Sequence, residues 1–171
     1  MGALRILHCA ALAAVMTLLG GGPASAATRS TQLGIQVTLT DTCVVTATPL
    51  VFPTYIPGGG PLQGTSTISV RCTNGDLFAV GLGTGATAGA SYAQRLLANG
   101  TSTLQYNLYT TATQTAVWGD GSGTTAIVSG RASGLASPVL LTVYGALPDS
   151  AANRGAGSGN YSDTVLVVLS Y

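Results

Sequence analysis

Catalysis near neutral pH needs side chains that exchange protons there, and the 171-residue chain is almost without them: it has one His, His8, and no Glu or Lys. A nucleophilic Ser needs a base within reach, so "GASYA" at 89–93, which has the outline of a nucleophile elbow, has no His partner beyond residue 8 to complete a triad. Gly83-x-Gly85-x-x-Ala88 has the outline of a dinucleotide-binding loop. It lacks a βαβ context and an acidic residue about twenty positions on, so glycines of a flexible hairpin are the better reading. Zinc would want Cys and His ligands, and "DGSG" at 120–123 lacks the spaced carboxylates of a calcium loop. The expectation is neither enzyme, metal protein nor cofactor carrier.

The chain opens like an export signal. Arg5, an apolar run over 6–19 and Ala24-Ser25-Ala26 form a basic start, a core and a small-residue cleavage site, with Gly20-Gly21-Gly22-Pro23 breaking the run too early for a membrane span. Residues 1–26 are therefore expected to be a secretory signal peptide, with no transmembrane segment after it. Its removal takes away Arg5, His8 and Cys9, and leaves five Arg, five Asp and two Cys. In an oxidising compartment Cys43 and Cys72 read as a disulfide. Nucleic acid is not an expected partner, because a Lys/Arg stripe is missing. So few charges suit a surface that packs against copies of itself.

The elements that would position these residues are strands. Runs rich in Val, Ile, Thr and Tyr occur at 43–52, 66–72, 77–83, 103–111, 115–121, 125–130, 138–148 and 160–171, divided by Gly, Pro, Asn, Asp and Ser. This spacing predicts an all-β sandwich. Asn74-Gly75-Asp76 reads as a hairpin turn, and 89–100 is the one stretch that could hold a helical turn. In "TQLGIQVTLTDTC" (31–43), Leu33, Ile35, Val37 and Leu39 share one strand face. At the other end Val165, Val167, Leu169 and Tyr171 share a face, opposite Leu166 and Val168.

The aromatic segments are more specific. Tyr106-Asn107-Leu108-Tyr109, Trp118-Gly119-Asp120-Gly121, Tyr144-Gly145 and Tyr161-Ser162-Asp163 follow in order, after Cys43-Val44-Val45, Cys72-Thr73-Asn74-Gly75 and Arg95. With its apolar C-terminal strand, the chain resembles the spore coat protein U domain family, which includes subunits of archaic, Csu-type chaperone-usher pili. The resemblance implies an immunoglobulin-like pilin sandwich that lacks its final strand and is completed by donor-strand complementation. Residues 27–41 would be a donor-strand extension, carrying Leu33, Ile35, Val37 and Leu39, and residues 42–171 the sandwich. Val165, Val167, Leu169 and Tyr171 would border the groove and contact a periplasmic chaperone. At the outer-membrane usher the next subunit's extension would take the chaperone's place.

On that reading the product is a surface fimbrium of a Gram-negative bacterium, supporting adhesion and biofilm formation, with room for one domain and so a shaft or adaptor role. Without Lys, Lys-Asn isopeptide and sortase-type cross-links are excluded. Two other functions stay open: a non-fimbrial coat or matrix protein that assembles laterally, and a carbohydrate-binding module stacking sugars on Trp118 and the tyrosines. The module would need those rings coplanar and exposed.

Overall fold

In a computed structural model that describes residues 27–171, the chain divides into two units, residues 1–38 and 39–171. The signal-peptide assignment lies outside the described residues. Residues 27–42 carry no strand, and the side chains of Leu33, Ile35, Val37 and Leu39 are 80–94% exposed.

The second unit is built of strands with one helical turn: β1 (Cys43–Ala47), β2 (Leu62–Cys72), β3 (Leu77–Leu82), β4 (Arg95–Asn99), β5 (Ser102–Tyr109), β6 (Val128–Arg131), β7 (Val139–Leu147), α1 (Ala151–Arg154) and β8 (Val167–Ser170). Five form a sheet in the order β1-β2-β7-β5-β4 and three a sheet in the order β6-β3-β8, all neighbours antiparallel. Alternation places Ile68, Val70 and Cys72 of β2, Phe78, Val80 and Leu82 of β3, Leu104, Tyr106 and Leu108 of β5, and Val143 and Leu147 of β7 in one core between the sheets. The expected all-β sandwich is what forms. Among the described residues no helix is long and apolar enough to cross a membrane.

Cys43 and Cys72 are opposite each other at the first pair of the β1–β2 ladder, with Cα atoms 4.0 Å apart, and are joined as a disulfide. Closing a loop over a sequence separation of 29 contributes about 3.5 kcal/mol in the chain-entropy account.

Four local expectations are corrected. Asn74-Gly75-Asp76 is not a hairpin, because β2 and β3 belong to different sheets; the turn carries the chain across the sandwich, with the Gly75 N–H donating to Ala132 O at 3.0 Å. The stretch 89–100 holds no helical turn but β4, whose pairing with β5 overrides the helix preference of Leu and Ala. The helical turn is α1, capped by Ser150, whose hydroxyl accepts from Asn153 N–H at 3.2 Å. The loop after β3 is not a flexible hairpin: Asp163 accepts from the Ala86 and Thr87 amides at 2.9 and 3.2 Å, and Gly85, at φ +103°, lies where a Cβ would strike that carboxylate.

The run 115–121 makes isolated bridges instead of a strand, and these stitch the two sheets along one side. Trp118 N–H donates to Leu108 O of β5, and Gly119 O accepts from Leu82 N–H of β3, both at 2.9 Å. The Trp118 ring is fully buried, with Nε1 donating to Val80 O at 2.8 Å. Trp118→Ala is expected to cost about 3–5 kcal/mol, read as a shifted midpoint in denaturant unfolding of residues 27–171.

Candidate functional site: an open seam between edge strands

Two strands have one neighbour each on the side away from the stitch. β1 pairs only with β2 and β8 only with β3, and among the described residues no ladder joins β1 to β8. Between them is a cleft of about 290 Å³, walled by Ala47, Leu50 and Phe52 on one side and Val165 and Val167 on the other. Ile68, Leu82, Tyr106, Leu108 and Val143 form its floor. A broader depression of about 770 Å³ adjoins it, reaching Tyr55, Leu104, Leu147 and Tyr161.

The sequence explains why the seam has this form. Pro49 ends the β1 ladder by removing a donor. Thr48 secures its last turn, donating its N–H to Thr67 O and accepting from Thr67 N–H at Oγ1, both at 3.0 Å. The chain then turns inward over Gly64 and Gly145, paired across β2 and β7. A Cβ on Gly145 would come within 2.8 Å of Leu50 and 3.0 Å of Phe52. Two glycines thus make a flat seat on which these side chains lie, and Phe52 meets Tyr106 edge to face at 6.3 Å.

On the β8 side, Val165, Val167 and Leu169 are half-buried against the core while Leu166 and Val168 point to solvent. Tyr171, expected on the apolar face, is 66% exposed beyond the end of β8. Asp163, which lines the seam, accepts from Tyr106 Oη at 2.7 Å as well as from the 86–87 amides, so its lone pairs are engaged. Burial first, and then this bond, push the Tyr106 phenol well above its ordinary range. The lining of the seam is mainly apolar, and the edges of β1 and β8 border it.

The remaining motif residues build the frame. Arg95 is fully buried, donating from Nη1 to Asn107 Oδ1 at 2.6 Å and from Nη2 to the Gly83 and Trp118 carbonyls at 2.7 Å, with Tyr92 5.6 Å from its guanidinium carbon. Burial holds its pKa below the usual arginine value, but a guanidinium stays charged. Asn107 donates to Tyr92 O and Ala93 O. Asp120 accepts from Ser122 N–H and Oγ, and Gly121 is at φ +86° within that turn. Tyr109 and Tyr144 are cross-strand partners, and Tyr161 Oη donates to Gly157 O at 2.6 Å. A sugar platform on Trp118 is excluded by its burial.

The family profile of the Spore Coat Protein U domain matches residues 29–168. The chain belongs to this family. Protein U of Myxococcus xanthus is 32% identical to this spore coat U chain over 178 residues, covering 95% of it and 96% of that protein. A chain in the crystal structure of the CsuC–CsuE chaperone–tip adhesion subunit pre-assembly complex, from archaic chaperone-usher Csu pili of Acinetobacter baumannii, has the same fold. The TM-score is 0.54 at 19% identity, over 78% of this chain and 41% of that one, so the spore coat U chain spans less than half of that chain's length. The sandwich is immunoglobulin-like, with the seam between β1 and β8 unfilled among the described residues.

One cluster beside the seam was not anticipated. Asp149 accepts from Tyr55 Oη at 2.5 Å, from the Gly58 and Gly60 amides at 3.1 and 3.2 Å, and from Arg154 at 3.0 and 2.9 Å, tying down the loop between β1 and β2. Pro148-Asp149-Ser150 is a turn-and-cap signal that marks the local structure, but not the loop about ninety residues away. The Arg154 bonds, then the Tyr55 bond, hold the Asp149 carboxyl far below the usual carboxylate range. A carboxyl whose folded pKa is depressed contributes above its unfolded value, near pH 4, and loses that contribution as pH falls toward the folded value. The clamp should therefore be intact from pH 5 to 8. Asp149→Asn is expected to speed amide exchange at Gly58 and Gly60 by about tenfold or more, measured by hydrogen exchange and independent of pH in that window after correction for intrinsic rates.

Proposed function

We propose that this chain is a structural subunit of a chaperone-usher surface fibre and polymerises by donor-strand exchange. One observation carries the reading: an apolar seam between two edge strands that each lack a second neighbour, in a chain whose extension carries four exposed apolar side chains at alternate positions. Leu33, Ile35, Val37 and Leu39 of one subunit enter the seam of another, with β8 as the pairing edge and Val165, Val167 and Leu169 beside the inserted side chains.

Burying four such side chains yields roughly 6–12 kcal/mol at about 1.5–3 each, and main-chain hydrogen bonds to the free edge add to it. The contact is heterologous and does not close on itself, so repetition gives an open filament. Before assembly an edge as apolar as residues 165–169 is an aggregation hazard. A periplasmic chaperone that lends a strand removes it, and the usher is where strands are exchanged. The chaperone–subunit complex among the structural neighbours supports a chaperone as partner. Adhesion and biofilm formation at the extracellular surface follow from the fibre, with no role for a cofactor or nucleic acid.

Subunits polymerised with their chaperone should run as a ladder on denaturing gels when unboiled and collapse to monomer on boiling. A variant lacking residues 27–40 should give no ladder. The same ladder from the truncated chain would instead favour lateral assembly, as in a coat or matrix protein.

A further inference from the structure

The extension runs into the sandwich through Thr42, and the chain is covalently reinforced there. Thr42, the last residue before β1, donates its N–H to Thr73 Oγ1 at 3.0 Å and accepts from Thr73 N–H at 2.9 Å. The next residue, Cys43, is both the first of β1 and one half of the disulfide. Between Leu39, the final apolar residue of the extension, and this anchored point lie only Thr40 and Asp41.

Resting on the donor-strand reading, we infer that the Cys43–Cys72 disulfide is a mechanical clamp at the place where fibre tension enters the subunit. β1 is an edge strand with five paired residues and one neighbour. Pulled from its first residue, such a ladder opens one pair at a time, so its resistance is that of a single pair and not the sum. The disulfide at the first pair prevents this. It passes the load to Cys72, the last residue of β2, whose register with β7 holds nine pairs from Leu62 to Val70 in the middle of the sheet. Tension along β2 loads those pairs together. β1 is also a wall of the seam, which includes Ala47.

The signature is a length. Without the bridge, load on Cys43 strips β1 and then, once the Asp149 bonds to Tyr55, Gly58 and Gly60 give way, the chain as far as Pro61, the residue before β2, which is 19 residues or a contour of about 65 Å at roughly 3.4 Å each. With the bridge, that segment carries no load.

The test is to assemble fibres with the chaperone, stretch single fibres in an optical trap, and repeat after reduction in place, with labelling of free thiols as the check on reduction. Cys43→Ser/Cys72→Ser fibres, where they form, provide the same comparison without a reductant. The expected result is added lengthening of each subunit, by up to about 65 Å of released contour less the folded separation of its ends, at a force below that which parts oxidised fibres, seen only when the bridge is absent. Identical traces with and without the bridge overturn the clamp while leaving donor-strand exchange standing. Failure of the unaltered chain to form any fibre overturns donor-strand exchange, and the clamp with it.

Discussion

The two sheets share no strand ladder, and the sandwich depends on how they are joined on one side. Trp118 and Gly119 do this with main-chain bonds to β5 and β3, and Arg95 adds a guanidinium that reaches Asn107, Gly83 and Trp118 together. A buried cation is tolerated because its donors meet acceptors fixed by backbone or by Asn107, whose own amide is engaged by Tyr92 and Ala93 carbonyls. Asp163 bonding Tyr106 and the Ala98–Ser162 bridge tie the chain leading into β8 to the five-stranded sheet as well, while β1 and β8 stay unpaired with each other.

The open side is shaped by subtraction. Gly64 and Gly145 remove side chains beneath Leu50 and Phe52, Pro49 ends β1, and Asp163 is occupied by Tyr106 and two amides. What remains is apolar, with the unpaired backbone edges of β1 and β8 along its rims. On the donor-strand proposal, such a surface takes an extended chain with apolar residues at every second position, and its selectivity rests on side-chain size and spacing.

Residues whose signal is local were legible in the sequence. The runs at 77–83, 103–111 and 138–148 announced β3, β5 and β7, and an even cysteine pair in a chain expected to be exported announced the disulfide. β4 was not legible, since Arg95-Leu96-Leu97-Ala98 has the composition of a helix and becomes a strand by pairing with β5. Asn74-Gly75 was read as a hairpin because a turn residue reports a reversal of the chain and not the sheet that the next strand joins. The tyrosines and Trp118 could be named from the motif, yet their burial and their bonds to Arg95 and Asp163 come from partners that sequence spacing does not reveal.

Composition alone determined that His, Glu and Lys are unavailable beyond residue 8. Alternation alone determined that it would be built of strands with an apolar stripe over 33–39. The tertiary structure decided which edges are left without a neighbour, and that the disulfide lies at the root of the extension. Strand faces follow from a period of two residues and can be read along the chain. Edges follow from which strands find each other across separations of tens of residues, and those pairings exist only in the folded molecule.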